Sequence, residues 1–137
     1  MDSLINSLKK IAMPAGRIML SIMFILAGFG KITAYSGTAA YMASQGVPGV
    51  LLPLVILVEL GGGLMLLVGY KTRLAAFLLG GFSVLSGLMF HLVPSMSMES
   101  MQAQMEMTNF FKNLAIGGGM AYVFANGSGG MSIDAQD

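Results

Sequence analysis

The sequence predicts an all-α integral membrane protein: a four-helix bundle running up-down-up-down, with a short interfacial helix between spans one and two. Composition supplies one observation. The 137 residues are 55% hydrophobic and only 9% charged, whereas soluble domains carry about 25% charged residues. Seven basic and six acidic side chains are too few to cover a soluble surface of this size, so lipid is the solvent for most of it. The second observation is four continuous apolar runs, 11–33, 48–70, 72–93 and 107–125. Each has roughly the 20 residues a helix needs to cross about 30 Å of hydrocarbon, and continuous rather than alternating runs exclude a closed barrel. The third is Glu59, the single charge in the run PGVLLPLVILVELGGGLMLLVGY. A carboxylate at that depth costs about 3 kcal/mol or more. A partner, a proton or a water-lined cavity must offset it.

The elements follow in order. Residues 1–10 read as a cytoplasmic N-terminal segment ending in Lys9-Lys10. Arg17 interrupts the apolar run behind that pair and no small-residue cleavage site follows, so the run is expected to be retained as span one rather than removed as a signal. Between spans one and two, Tyr35 to Gly46 predicts a short helix in the outer interface, with Ser36 as its cap, Gly46 as its stop and Pro48 restarting the chain. Spans two and three are joined by a tight turn at Lys71 and Arg73, and span four follows a methionine-rich loop. Residues 126–137 are Gly/Ser-rich and polar and predict a loose tail. Basic residues flank the short loops at Lys9, Lys10, Arg17, Lys71 and Arg73, which places both termini on the cytoplasmic side.

Composition also narrows chemistry. A net charge of +1 without a basic stretch points away from nucleic acid. The absence of cysteine removes disulfides and thiolate metal sites within this chain. With no Trp, an interfacial aromatic belt relies on Tyr35, Tyr41, Tyr70 and Tyr122.

The buried polar residues share helical faces. In span one, Arg17, Ser21, Phe24, Gly28 and Lys31 follow a 4-3-4-3 spacing, which is one stripe. Span two offers Glu59, Gly62, Gly63 and Leu66; span three Gly80, Val84, Gly87 and His91; span four Asn109, Lys112, Asn113 and Ile116. Polar groups therefore fall on the same stripes as small residues, where helices approach closely in lipid. Each has a plainer reading. Lys31 and Lys112 can snorkel to headgroups, and Arg17 reads as a snorkelling cytoplasmic anchor. Glu59 is too short to reach either headgroup layer; it is either a structural salt bridge with Lys31 or Lys112 or a functional group. The glycine clusters 61–63, 80–81 and 117–119 fit no phosphate loop and suit close helix packing. Met96, Met98 and Met101, with His91 nearby, form an alternative soft-ligand set for Cu(I), against which stands the common use of Met as apolar filler.

Several stretches together carry a family resemblance: GRIMLSIMFILAGFGKI, GTAAYMASQGVP, LVELGGGLMLLVGYKTRLAA, the Phe90-His91 pair and FFKNLAIGGG. Their order resembles that of DoxX family membrane proteins from about Gly16 to the tail. The resemblance implies a four-span bundle in the bacterial inner membrane. It also implies kinship with subunits of quinone-reactive, thiosulfate-oxidising or oxidative-stress redox complexes. Gly30, Lys31, Glu59, His91, Lys112 and Asn113 fall on the family's polar positions, whereas the methionine loop is a departure.

Three functions follow. A redox subunit would bind a quinone head through Lys31, Lys112, Asn109 and Asn113, with Glu59 and His91 exchanging protons. One His and no Cys leave no haem or iron–sulfur ligation, so a protein partner would carry the redox centre. That makes a subunit a better reading than a complete enzyme. A small proton-coupled transporter could use Glu59 in the same way, although four spans leave little volume without a homodimer. An anchoring subunit would use the polar cluster only to fix helix register, while its outer loops bind a soluble partner.

Overall fold

The computed structural model describes residues 1–134 and, among them, contains five helices and no strand. Helix α1 spans Asp2–Thr33; it starts well before Ile11 and takes in the polar N-terminal residues. Pro14 lies inside it, where it removes one backbone donor. Asp2 in the first turn and Lys31 in the last complement the helix dipole. The interfacial segment forms α2, Tyr35–Ser44, but its N-cap is Ala34 and no side chain caps it, so Ser36 lies within the helix. Gly46 adopts φ 80°, a left-handed conformation that suits glycine at this stop.

Helix α3 runs through Gly49–Val68. It opens as a 3₁₀ turn at Gly49–Leu51, becomes α-helical at Leu52–Ile56, widens into a π turn at Leu57–Gly61 and closes as α-helix at Gly62–Val68. Its end is a Schellman arrangement: Tyr70 N–H donates to Met65 O, Gly69 N–H donates to Leu66 O, and Gly69 sits at φ 70°. Helix α4, Thr72–Ser95, repeats the pattern, with a π turn at Leu88–Leu92. Helix α5 covers Ser100–Asn126 and ends at Gly127, φ 81°. Three of these helices, α1, α3 and α4, have the length and apolar composition to cross a membrane.

Helices pack closely where glycine faces a neighbouring helix. A Cβ on Gly28 of α1 would stand 2.9 Å from the Leu60 Cβ of α3. On the α4–α5 seam, a Cβ on Gly80 would stand 2.9 Å from Met120 Cβ, and one on Gly117 would stand 2.8 Å from Val84 Cγ2. Later residues of α4 face earlier residues of α5, so these two helices are antiparallel. Phe24, Leu66, Ala75, Ala76, Leu79, Met120 and Val123 form a small core. Large apolar side chains such as Phe29, Leu57 and Phe77 point outward, the distribution expected of a surface solvated by lipid.

The expected loose tail is instead folded over residues 127–134; positions 135–137 lie outside the described residues. Ile133 N–H donates to Val68 O at 3.0 Å and Asp134 N–H to Gly69 O at 2.8 Å. The Asp134 carboxylate then receives the Lys71 N–H at 2.7 Å and the Thr72 N–H at 2.8 Å, capping the positive end of α4. Burial opposes ionisation of Asp134, but hydrogen bonds from Thr72 and Lys71 and the Arg17 charge outweigh it and hold the carboxyl below its usual range.

Candidate functional site

The stripes on α1 and α3 are buried as their spacing predicts: Arg17, Ser21, Phe24 and Gly28 on one, Glu59, Gly62, Gly63 and Leu66 on the other. Glu59 is 4% exposed. Lys31 ends the α1 stripe, and its Nζ lies 2.6 Å from Glu59 Oε1. Oε1 has no partner in hydrogen-bonding geometry among the described residues, so this is a contact of charges that leaves the carboxyl accepting capacity.

The pair opens onto a cavity of about 500 Å³ between α1, α2, α3, α4 and α5. Lys31, Glu59, His91 and Asn113 all line it, so four of the sequence-predicted residues converge. Thr38 and Tyr41 reach it from α2, and Ser83 and Ser86 from α4. The rest of the wall is apolar, including Phe24, Met42, Leu54 and Phe82. Two of the polar groups arrive by the same device. Glu59 lies in the π turn of α3 and His91 in the π turn of α4. Such turns insert a residue into the α-helical ladder and concentrate at functional sites.

The remaining predicted residues are placed differently. Lys112 is exposed and does not line the cavity; Asn109 is half-buried and does not line it either. Asn113 donates through Nδ2 to Ser83 O at 3.1 Å and to Ser86 Oγ at 3.3 Å, so its amide fastens α5 to α4 at the cavity edge. Met96, Met98 and Met101 are exposed around the α4–α5 turn.

Arg17 does not snorkel. It is fully buried, and all five of its N–H groups have acceptors. Nη1 donates to Leu66 O and Leu67 O in the last turn of α3, while Nε donates to Ser128 O and Nη2 to Gly130 O and Met131 O. A cation belongs at a helix C-terminus, and here it also ties down the tail.

Two residues escaped the sequence reading. Glu106 Oε2 lies 2.6 Å from His91 Nδ1, and Tyr41 stacks on Phe90 with ring centroids 5.8 Å apart. Burial, aided by the Glu106 charge, pushes the Tyr41 phenol up. Glu106 sits one residue before the expected start of span four. Pairing α4 and α5 as an antiparallel hairpin would have brought it opposite His91.

The fold and site define a helical membrane protein with a largely apolar cavity, the Lys31–Glu59 pair at its wall and His91 lining it with Glu106 behind. The chain belongs to the DoxX family, whose pattern matches residues 12–92. It is 44% identical to the inner membrane protein YqjF of Escherichia coli K12 over 129 residues, 94% of each chain. It is 30% identical to the inner membrane protein YphA of the same organism over 122 residues, covering 88% of this chain and 86% of that one. No solved structure matches significantly.

Proposed function

We propose that this chain is a subunit of a membrane redox system and holds a quinone-like molecule in the cavity. The observation that carries the reading is the convergence of two π turns, bearing Glu59 and His91, on one apolar chamber that Lys31 also enters. A flat head with two oxygens needs a few directed polar groups in an apolar slot. Lys31 supplies donors, Glu59 and His91 supply proton-exchanging groups, and the apolar wall suits a tail. The chain has no Cys and a single His, so electrons come from a partner protein. The inner membrane names of the two relatives support the same location here. The length of α5, 27 residues, and its antiparallel seam with α4 support it as a fourth span, giving an up-down bundle with both termini cytoplasmic.

Organic extraction of protein purified in mild detergent tests the reading. A quinone is expected in the extract from wild type and is lost from Glu59→Gln; an extract free of quinone in both rejects it. Burial of Glu59 beside an ammonium also favours a second reading, proton-coupled transport. Under that reading, liposomes show substrate-dependent proton movement that Glu59→Ala abolishes, and silence across a broad substrate panel rejects it.

A further inference from the structure

We infer that Glu106 is a positioning residue that fixes the tautomer of His91, so that the His91 side of the cavity selects a ligand hydroxyl over a carbonyl. This deepens the cavity-ligand reading and rests on it. His91 Nδ1 is 2.6 Å from Glu106 Oε2. A carboxylate offers only lone pairs, so Nδ1 carries the proton in that bond. In the neutral form of the ring Nε2 is then bare, so that it accepts hydrogen bonds and cannot donate them. His91 lines the cavity whereas Glu106 does not, so the carboxylate backs the ring rather than meeting the ligand. Anchoring is good on both sides: His91 is held in the π turn of α4 and Glu106 in the second turn of α5.

The cavity wall thus has two unlike polar groups. The Lys31 ammonium only donates, and the neutral His91 Nε2 only accepts. A hydroquinone satisfies both, since one hydroxyl oxygen accepts from Lys31 while the other O–H donates to Nε2. A quinone satisfies Lys31 alone and sets a carbonyl lone pair against the Nε2 lone pair. A site built to bind an O–H discriminates strongly against the analogue that lacks it. The step is hydrogen bonding alone; no bond breaks and no electron moves.

The single histidine makes the test unambiguous. Full-length protein labelled with ¹⁵N-histidine gives one pair of ring resonances. At about pH 9, above the ordinary imidazole range, the expected spectrum has protonated Nδ1 and bare Nε2. Glu106→Gln is expected to give a mixture of tautomers and Glu106→Asp to restore the first form in part. Under argon, a decyl-benzoquinol probe is expected to shift Nε2 and to bind about tenfold tighter than decyl-benzoquinone, a ratio that Glu106→Gln narrows. A wild-type ring protonated at Nε2 overturns the inference. Equal binding of both redox forms overturns the selection and leaves the cavity reading standing, whereas binding of neither overturns both. The wild-type spectrum decides the tautomer even if a variant fails to fold.

Discussion

Glu59 and His91, on different helices, each occupy a π turn, and both line one cavity. A π turn departs from the regular α-helical ladder, and two of them lining one cavity concentrate that departure around the polar groups. The geometry is that of a site held by its surroundings rather than by local propensity.

The Lys31–Glu59 pair supports the first prediction. Lys31→Met leaves a buried carboxylate without its cation. Removing one partner of a buried pair costs about 3–5 kcal/mol, and the lower figure applies because the Lys31 side chain is 29% exposed. The double variant Lys31→Met/Glu59→Gln recovers most of the loss. Thermal melting in detergent checks both; a double variant no more stable than the single one would show that the pair is not the cause.

Arg17 supports the second. Arg17→Lys keeps the charge but cannot reach five carbonyls from one planar fork, so a loss of about 3 kcal/mol is expected. Truncation after Gly127 removes three of those acceptors. The two changes together should cost much less than their sum, since they break one network. Additive losses in a double-mutant cycle would refute the coupling.

A third contrast lies in α4. Gly80→Ala forces a Cβ against Met120 and is expected to cost about 1–3 kcal/mol. Its neighbour Gly81 has nothing within 4 Å of the same atom, so Gly81→Ala should be neutral or slightly stabilising. Equal melting temperatures for the two variants would refute the packing.

The fourth concerns pH. The folded carboxyl of Asp134 is depressed relative to an unfolded value of about 3.9. Its contribution is therefore complete above about pH 4 and disappears as pH falls through the folded value. Asp134→Asn should remove about 1 kcal/mol at neutral pH and flatten the acid limb of the stability profile. An unchanged acid limb would count against the cap.

Much of this was legible beforehand because a 4-3-4-3 spacing names a helical face without tertiary information. It placed Arg17, Ser21, Phe24 and Gly28 inward together, and likewise Glu59 with Gly62 and Gly63. On α4 the expected Gly87 is buried and Gly80 and Val84 pack against α5, but the buried face also takes in Leu79 and Ser83 beside them, and a π turn then intervenes before His91. Periodicity assumes a constant turn and cannot register such an insertion. Glu106 was overlooked because it precedes the apolar run, although helix α5 begins earlier, at Ser100. The role of Arg17 was invisible for another reason: the Ser128 carbonyl that receives its Nε is 111 residues away. No local pattern encodes that meeting, and a Gly/Ser-rich tail carries no sign that its carbonyls are wanted.

That separation has a bearing on biogenesis. At about 5–20 residues per second, the ribosome takes roughly 6–20 s between making Arg17 and making Ser128. The first helix is therefore made with its guanidinium still unmatched by Ser128, Gly130 and Met131, and final locking waits until those residues have emerged. Nascent chains arrested before that stretch would present quality-control proteases with an unfinished, recognisable substrate.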